Sequence, residues 1–144
     1  MLNPPGAKIF IEHIDLRKYI CTLREDTPKI PSPNCWDLVG GGMKKGERPL
    51  ETALREQSEE ISLKLFGIIY LTTIQGETRD QKDKVISRMP VHIFKGFTNT
   101  KPEEIEIISE GQFPGYFSLN EILKLPNTVP RLKYFIKKYS KLLH

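Results

Sequence analysis

Long apolar runs are missing from this sequence. No stretch of ~18 apolar residues is present to span a bilayer as a helix. The opening MLNPPGAKIF also lacks the apolar core that marks a secretory signal. No membrane partner is therefore expected, and the cytoplasm is the expected location. Cysteine is scarce: Cys21 and Cys35 form neither a CxxC pair nor a disulfide framework. One bridge between them is conceivable in principle, but reduced thiols are expected. Charge of one sign is not in large excess either. A formal net charge of +4 suits an anionic small molecule and is too small to imply nucleic acid. No repeat, low-complexity tract or long linker divides the chain.

What is present is an ordinary globular balance, 38% hydrophobic and 28% charged over 144 residues, which predicts one domain spanning 1–144. Lys8–His13 and Tyr19–Arg24 read as short strands. Glu25–Asn34 carries Pro28, Pro31 and Pro33 and reads as a loop. Trp36–Val39 is a short apolar run ending in Gly40, Gly41 and Gly42, and Pro49 suits the first turn of a helix reaching about Ile61. Leu65–Thr73 and Pro90–Phe97 are expected as strands around a charged loop, Gly76–Arg88, with Ile105–Ile108 as one more. Ser118 and Glu121 fit a capping box, and Thr128 is expected to cap a last helix with Pro130 in its first turn. The basic residues of that last segment, Arg131, Lys133, Lys137, Lys138 and Lys141, read as a solvated helix face rather than a phosphate surface. Strands interspersed with helices predict an α/β (α+β) fold, a mixed β-sheet sandwiched between α-helices.

Chemistry concentrates in the helix beginning at Pro49. With Glu56 as origin and ~100° per residue, Glu60 falls about 40° to one side and Glu59 about 60° to the other. Three carboxylates thus share a face. Leu50, Ala53, Leu54 and Ile61 fall on a separate apolar stripe, which puts the acids beside the core-facing surface and not within it. Like charges at i,i+3 and i,i+4 repel by a few tenths of a kcal/mol per exposed pair, and acids near the C-terminal end oppose the helix dipole. The cluster is unfavourable unless something positive rests on it. A hard divalent cation does so through oxygen ligands, and Mg²⁺ commonly joins carboxylates to substrate phosphates. A solvated face, with Arg55 paired to Glu51 or Glu59, is the simpler account of an isolated EQSEE.

The wider spacing is more specific. Gly41, Glu47, Arg55, Glu56, Glu59, Glu60 and Leu63 fit the pattern G-x(5)-E-x(7)-R-E-U-x-E-E-x-G-U, where U is aliphatic, at seven of its nine fixed positions. Over 41–63 the chain therefore resembles the Nudix hydrolase family. A looser likeness to MutT-like members takes in the early strands, Trp36 to Gly42, Glu110-Gly111-Gln112 and Phe117-Ser118-Leu119. Two positions depart. Gln57 stands where an aliphatic residue is usual, and by the wheel it points into the apolar stripe. At a partly wet edge of the core it would be tolerated, and Gln57→Leu would then add ~1 kcal/mol of stability; if its amide instead holds the glycine-rich loop or a buried water, the same change would destabilise the fold and disturb metal affinity through Gly40. Ser62 replaces the glycine that a left-handed helix end would prefer.

The resemblance implies a Mg²⁺-dependent pyrophosphohydrolase, with Mn²⁺ as a substitute. Its substrate would be a nucleotide-like small molecule holding a diphosphate linkage, a nucleoside triphosphate or nucleotide sugar before others. Glu56, Glu59 and Glu60 would hold the metal together with the carbonyl of Gly40. Gly41, Glu47 and Arg55 would be structural, Arg55 tying the helix to its preceding loop through Glu47. Arg24 would contact substrate phosphate. Glu110 would add a metal ligand or the general base, with Glu77 and Glu104 as alternatives. Asn127 lies near where relatives read a purine edge, although beside Pro126 it also suits a plain turn. Trp36 and Phe117 are expected in the core. The assembly would be a monomer or homodimer. Competing readings are a non-catalytic nucleotide sensor and a hydrolase of RNA 5′ ends or dinucleoside polyphosphates. The sensor is disfavoured because Glu47 and all three helix acids are present. Signatures for ADP-ribose, diadenosine polyphosphates, coenzyme A and NADH are missing.

Overall fold

The strand β1 (Gly6–His13), with the apolar run Ile9-Phe10-Ile11 at its middle, lies at the centre of the sheet and is buried on both faces. This computed structural model describes residues 5–30, 32–80, 82, 84–109 and 112–144, with the backbone alone at 78 and 79. After β1 come β2 (Lys18–Leu23), β3 (Trp36–Asp37), β4 (Val39–Gly42), helix α1 (Pro49–Glu60) and β5 (Ile61–Ser62). Then follow β6 (Leu65–Arg79), β7 (Val85–Thr98), β8 (Glu106–Ile107), β9 (Phe113–Phe117), α2 (Leu119–Lys124) and α3 (Leu132–Tyr139). The main sheet runs β3-β2-β1-β7-β6, with β4 on β1 and β9 on β2, while β5 and β8 form a small ribbon of their own. The pairing of β1 with β7 is parallel and the rest of the main sheet is antiparallel, so the sheet is mixed as expected.

Alternation along β1 and β7 divides the core in two. Ala7, Ile9, Ile11 and Phe94 pack with Ala53 and Ile61 against α1. Phe10 and Ile93 pack on the other face with Ile122, Leu132, Phe135 and Ile136 of α2 and α3. Helices therefore cover both faces, the expected sandwich. Trp36 and Phe117 meet edge to face at 4.9 Å beside the second cluster, so they serve packing. No helix among the described residues is long and apolar enough to cross a membrane.

Several expectations are corrected. Most of Gly76–Arg88 is strand: Gly76 to Arg79 continue β6 and pair with Val85 to Met89 of β7, making one long hairpin. Cross-strand pairing overrides the polarity of this stretch, which is typical of an antiparallel ribbon with a wet face. Thr128 does not cap α3. It bridges Trp36 in parallel, and the residue before α3 is Arg131. The apolar stripe on α1 is also displaced, because Leu50 and Leu54 are 42% and 41% exposed while Thr52, Ala53 and Gln57 are buried. The buried arc of α1 thus runs through Glu56 and Glu60 rather than beside them.

Gln57 is buried as the wheel requires, but it is not a passive guest. Its Nε2 donates to the carbonyl of Ile61 at 3.0 Å and reaches that of Leu63 at 3.5 Å. These carbonyls flank Ser62. The chain passes straight from α1 into β5 through Ile61 in extended geometry, φ −144° and ψ 132°, with no left-handed residue at 62. Gln57 holds that turn, and a glycine at 62 has no conformational task to perform. Gln57→Leu is accordingly expected to lower stability by ~1 kcal/mol, since both carbonyls lose their side-chain donor. Urea melts measure it, and a stabilised variant would restore the edge-of-core account.

Candidate active site

The site is built where the glycines of β4 meet the last turns of α1. Gly40 has φ 148°, and a Cβ there would lie 2.1 Å from the carbonyl oxygen of Ala7, so β4 approaches β1 more closely than a side chain permits. Its N–H donates to Glu60 Oε2 at 2.8 Å. At Gly41 the space of a Cβ is taken by the Glu56 carboxylate, 2.5 Å from the ideal position. Two glutamates are therefore seated on the glycine backbone.

Arg55 organises the loop before the helix. Its Nε donates to Glu47 Oε2 at 2.6 Å, and its Nη2 to Glu47 Oε1 at 3.0 Å and to the Gly42 carbonyl at 2.9 Å. Its Nη1 reaches Glu56 at 3.0 Å and Glu59 at 3.1 Å. Glu47 also accepts from the Lys44 N–H at 2.7 Å and the Thr52 hydroxyl at 3.0 Å. Hydrogen bonds from Arg55 above all, then from Lys44, hold the Glu47 carboxyl at about 2, below its ordinary 4.5. A carboxyl depressed in this way stabilises the fold above about pH 4.5, and that contribution is lost as pH falls towards about 2. Acid unfolding of the wild type should steepen across this window, and Glu47→Gln should lack that component. Denaturant melts across the window check it, and parallel acid limbs for the two proteins would contradict the assignment.

Glu60 behaves in the opposite way. Burial pushes its carboxyl up to about 7, against the lowering effects of Lys8 and of the Gly40 N–H. A carboxylate so placed gains from added positive charge. Glu56, Glu59, Glu60 and the Gly40 carbonyl are all oxygen donors, the set a hard divalent cation takes, so these residues fit Mg²⁺ or Mn²⁺. As they stand, Glu56 and Glu59 are engaged by Arg55. Among the described residues no three His, Cys, Asp or Glu side chains converge to hold an ion. A cation must therefore compete with Arg55 for two of its ligands.

The glycines also form the wall of a cleft of about 490 Å³. Lys8, Arg24 and Asp37 line it beside Gly41 and Gly42. Asp37 is buried and accepts from Lys8 Nζ at 2.8 Å and the Leu38 N–H at 2.7 Å, with Arg24 Nη1 at 3.6 Å. Lys8 Nζ also lies 3.5 Å from the Gly40 carbonyl. Ile74, Met89, Val91 and Ile93 of the hairpin supply apolar wall, as do Val129, Leu132 and Phe135 at the start of α3.

The expected site residues fare unequally. Gly40, Gly41, Glu47, Arg55, Glu56, Glu59 and Glu60 come together, and Arg24 enters the adjoining cleft. Glu77 lines that cleft, whereas Glu104 borders a separate shallow hollow with Ser62 and Lys64. Glu110 lies outside the described residues. The Asn127 amide donates to the Asn34 carbonyl at the proline-rich loop, and Asn127 is not among the residues lining the cleft. Lys8, Asp37 and Arg131 line the cleft and were not singled out as site residues from the sequence. Lys8 had a signal, as the one charge between Ala7 and Ile9 in an apolar strand. Arg131 was assigned to a solvated face, and nothing in the sequence marks its turn inward.

Comparisons with known proteins bear on the fold and the family. A family model described as the NUDIX domain matches residues 4–139. No curated protein matches significantly. Among solved structures, the NUDIX domain of Shewanella oneidensis NrtR complexed with ADP ribose aligns with a TM-score of 0.72 at 16% identity, covering 99% of this chain and 90% of that one. The MutT protein from Methanosarcina mazei Go1 gives 0.72 at 17% identity, covering 98% and 97%. The E. coli dihydroneopterin triphosphate pyrophosphohydrolase gives 0.69 at 17%, covering 96% and 97%. At such identities the likeness is one of fold. The family rests on the domain match, which takes in nearly the whole chain and includes the motif carried by α1: the chain belongs to the Nudix hydrolase family.

Proposed function

We propose that this chain is a Mg²⁺-dependent pyrophosphohydrolase that cleaves a diphosphate linkage in a nucleoside diphosphate joined to a further group, a nucleoside triphosphate or nucleotide sugar. The observation that carries the reading is the seating of Glu60 on the Gly40 N–H, with Glu56 against Gly41 and Glu59 one turn away. Bound there by Glu56, Glu59, Glu60 and the Gly40 carbonyl, the metal would supply charge for the phosphate oxygens and acidify an attacking water. Arg24 and Lys8 would draw the diphosphate into the cleft, and Asp37 between them fixes their positions. Arg55 and Glu47 hold the loop before α1 in place and take no part in proton transfer.

A base must accept the proton of the attacking water. The resemblance assigns Glu110. Glu77 is the described carboxylate of the expected alternatives that lines the cleft. Glu110→Gln is expected to depress kcat more than KM and to flatten the alkaline-rising limb of the pH profile. Wild-type kinetics in that variant, with the loss appearing in Glu77→Gln, would move the role to Glu77. The reading as a whole is tested by a phosphate-release screen with Mg²⁺. It should include nucleoside triphosphates, nucleotide sugars, ADP-ribose and dinucleoside polyphosphates, with products identified by mass spectrometry. Turnover of a triphosphate or nucleotide sugar is expected, and no turnover of any diphosphate compound would overturn the reading.

A further inference from the structure

Charge is unevenly placed along the floor of the cleft. Lys8 stands between Ala7 and Ile9 on the central strand, and its stem packs on Gly40, with Cδ 2.8 Å from the ideal Cβ position there. Its Nζ donates to Asp37 Oδ2 at 2.8 Å and lies 3.5 Å from the Gly40 carbonyl. Arg24 Nη1 approaches the same Asp37 oxygen at 3.6 Å. The side chains of Lys8 and Arg24 are 24% and 25% exposed, against 9% for Asp37. Both cations therefore face the cleft, and the carboxylate they share lies beneath them. An ammonium carries several N–H donors and the Gly40 contact is long, so Lys8 keeps a donor for a ligand.

The other charged residues lining the cleft do not cancel this excess of positive charge. Glu77 has Arg88 Nε at 3.8 Å, and the Arg131 guanidinium rests 4.0 Å from the Tyr134 ring. The charge of the cleaved diphosphate is answered separately, by the metal that Glu56, Glu59, Glu60 and the Gly40 carbonyl would hold. Lys8 stands at the boundary of that end of the cleft, beside Gly40 on one flank and paired with Ile93 of the apolar wall on the other. A group lying over it meets an unbalanced cation half shielded from water. A phosphate oxygen answers that cation with a charge-assisted hydrogen bond, and a sugar hydroxyl does so only weakly. We propose that Lys8 is a specificity-determining residue: it makes the cleft select a third phosphate beside the metal-bound pair. Nucleoside triphosphates are then preferred to nucleotide sugars, whose diphosphate continues into an uncharged ring. This narrows the proposed function and rests on it.

Binding tests the inference without turnover. The probes are uridine triphosphate with both bridging oxygens replaced by methylene, and UDP-glucose with its one bridging oxygen so replaced. Each is titrated calorimetrically with Mg²⁺ into the full chain, into Lys8→Met and into Lys8→Gln. Methionine keeps the stem against Gly40 and removes the charge, while glutamine also keeps a donor for Asp37. In the wild type the triphosphate analogue should bind about tenfold or more tightly than the nucleotide sugar. A triphosphate carries more charge in any case, so the decisive quantity is the share of this preference that Lys8 carries. Both variants should bring the ratio to within about threefold, whereas Lys141→Gln, which removes an exposed charge of the last segment, should keep the wild-type ratio. Equal affinities in the wild type, a ratio unchanged in Lys8→Gln, or the same loss in Lys141→Gln would overturn the inference while leaving the nucleotide reading intact. If neither analogue binds, the nucleotide reading fails and the inference with it. Should Lys8→Met not fold, Lys8→Gln alone gives the same decision.

Discussion

Glu59→Gln and Glu60→Gln are each expected to lower kcat by at least ~10²-fold, since several kcal/mol of metal-borne stabilisation is at stake. Neither change should unfold the protein. Glu59 is exposed, so its charge can be removed without opening the core. Glutamine at 60 keeps an oxygen for the Gly40 N–H, which the wild-type carboxylate accepts at 2.8 Å. Replacing the buried carboxyl by a neutral group even removes the burial penalty that pushes Glu60 up to about 7. Unchanged or raised stability with lost turnover is therefore the expected signature at 60. Steady-state rates in Mg²⁺ and urea melts on the same preparations check it. Full activity in the Glu59→Gln/Glu60→Gln double variant would remove the acidic face from the mechanism.

Gly40→Ala should produce the largest loss of stability among single changes at the site, roughly 3 kcal/mol or more, with Tm falling by ~10 °C. The added methyl would meet the Ala7 carbonyl oxygen at 2.1 Å and Lys8 Cα at 2.8 Å, both backbone atoms of the central strand. Neither can give way without disturbing the pairing of β1 with β4 and β7. The backbone angle at Gly40 adds strain of its own. Gly46 provides the control. It also has positive φ, 85°, but nothing lies within 4 Å of its ideal Cβ, so Gly46→Ala should lose only about 1 kcal/mol. Equal losses at 40 and 46 in thermal melts would show that the close approach of β4 to β1 is not what requires glycine.

The motif residues were legible because their roles are local. Arg55, Glu56, Glu59 and Glu60 lie on one helix, and Glu47 is one loop away, so spacing along the chain fixes which can meet. The interspersing of strands with helices likewise pointed to a mixed sheet covered by helices. What could not be read depends on contacts between distant segments. The wheel set Leu50 and Leu54 towards the core, but the close seating of β4 draws Glu56 and Glu60 inward and leaves those leucines half exposed. Gln57 looked like a misfit until the extended exit of α1 put the Ile61 carbonyl within reach of its amide. Gly76–Arg88 looked like a loop because its charges hid a strand pairing set by the hairpin. Arg131 looked solvated because helical periodicity says nothing of a left-handed residue before the helix.

The central claim is that α1 and the β4 glycines form a divalent-metal site for a diphosphate. Calorimetric titration of the full chain with Mn²⁺ tests it most directly, repeated with Glu56→Gln/Glu60→Gln and with Lys141→Gln, an exposed residue of the last segment, as a control. Saturable binding is predicted in the wild type and the control, and its loss in the double variant. No binding in the wild type, or the same isotherm in all three proteins, would contradict the account.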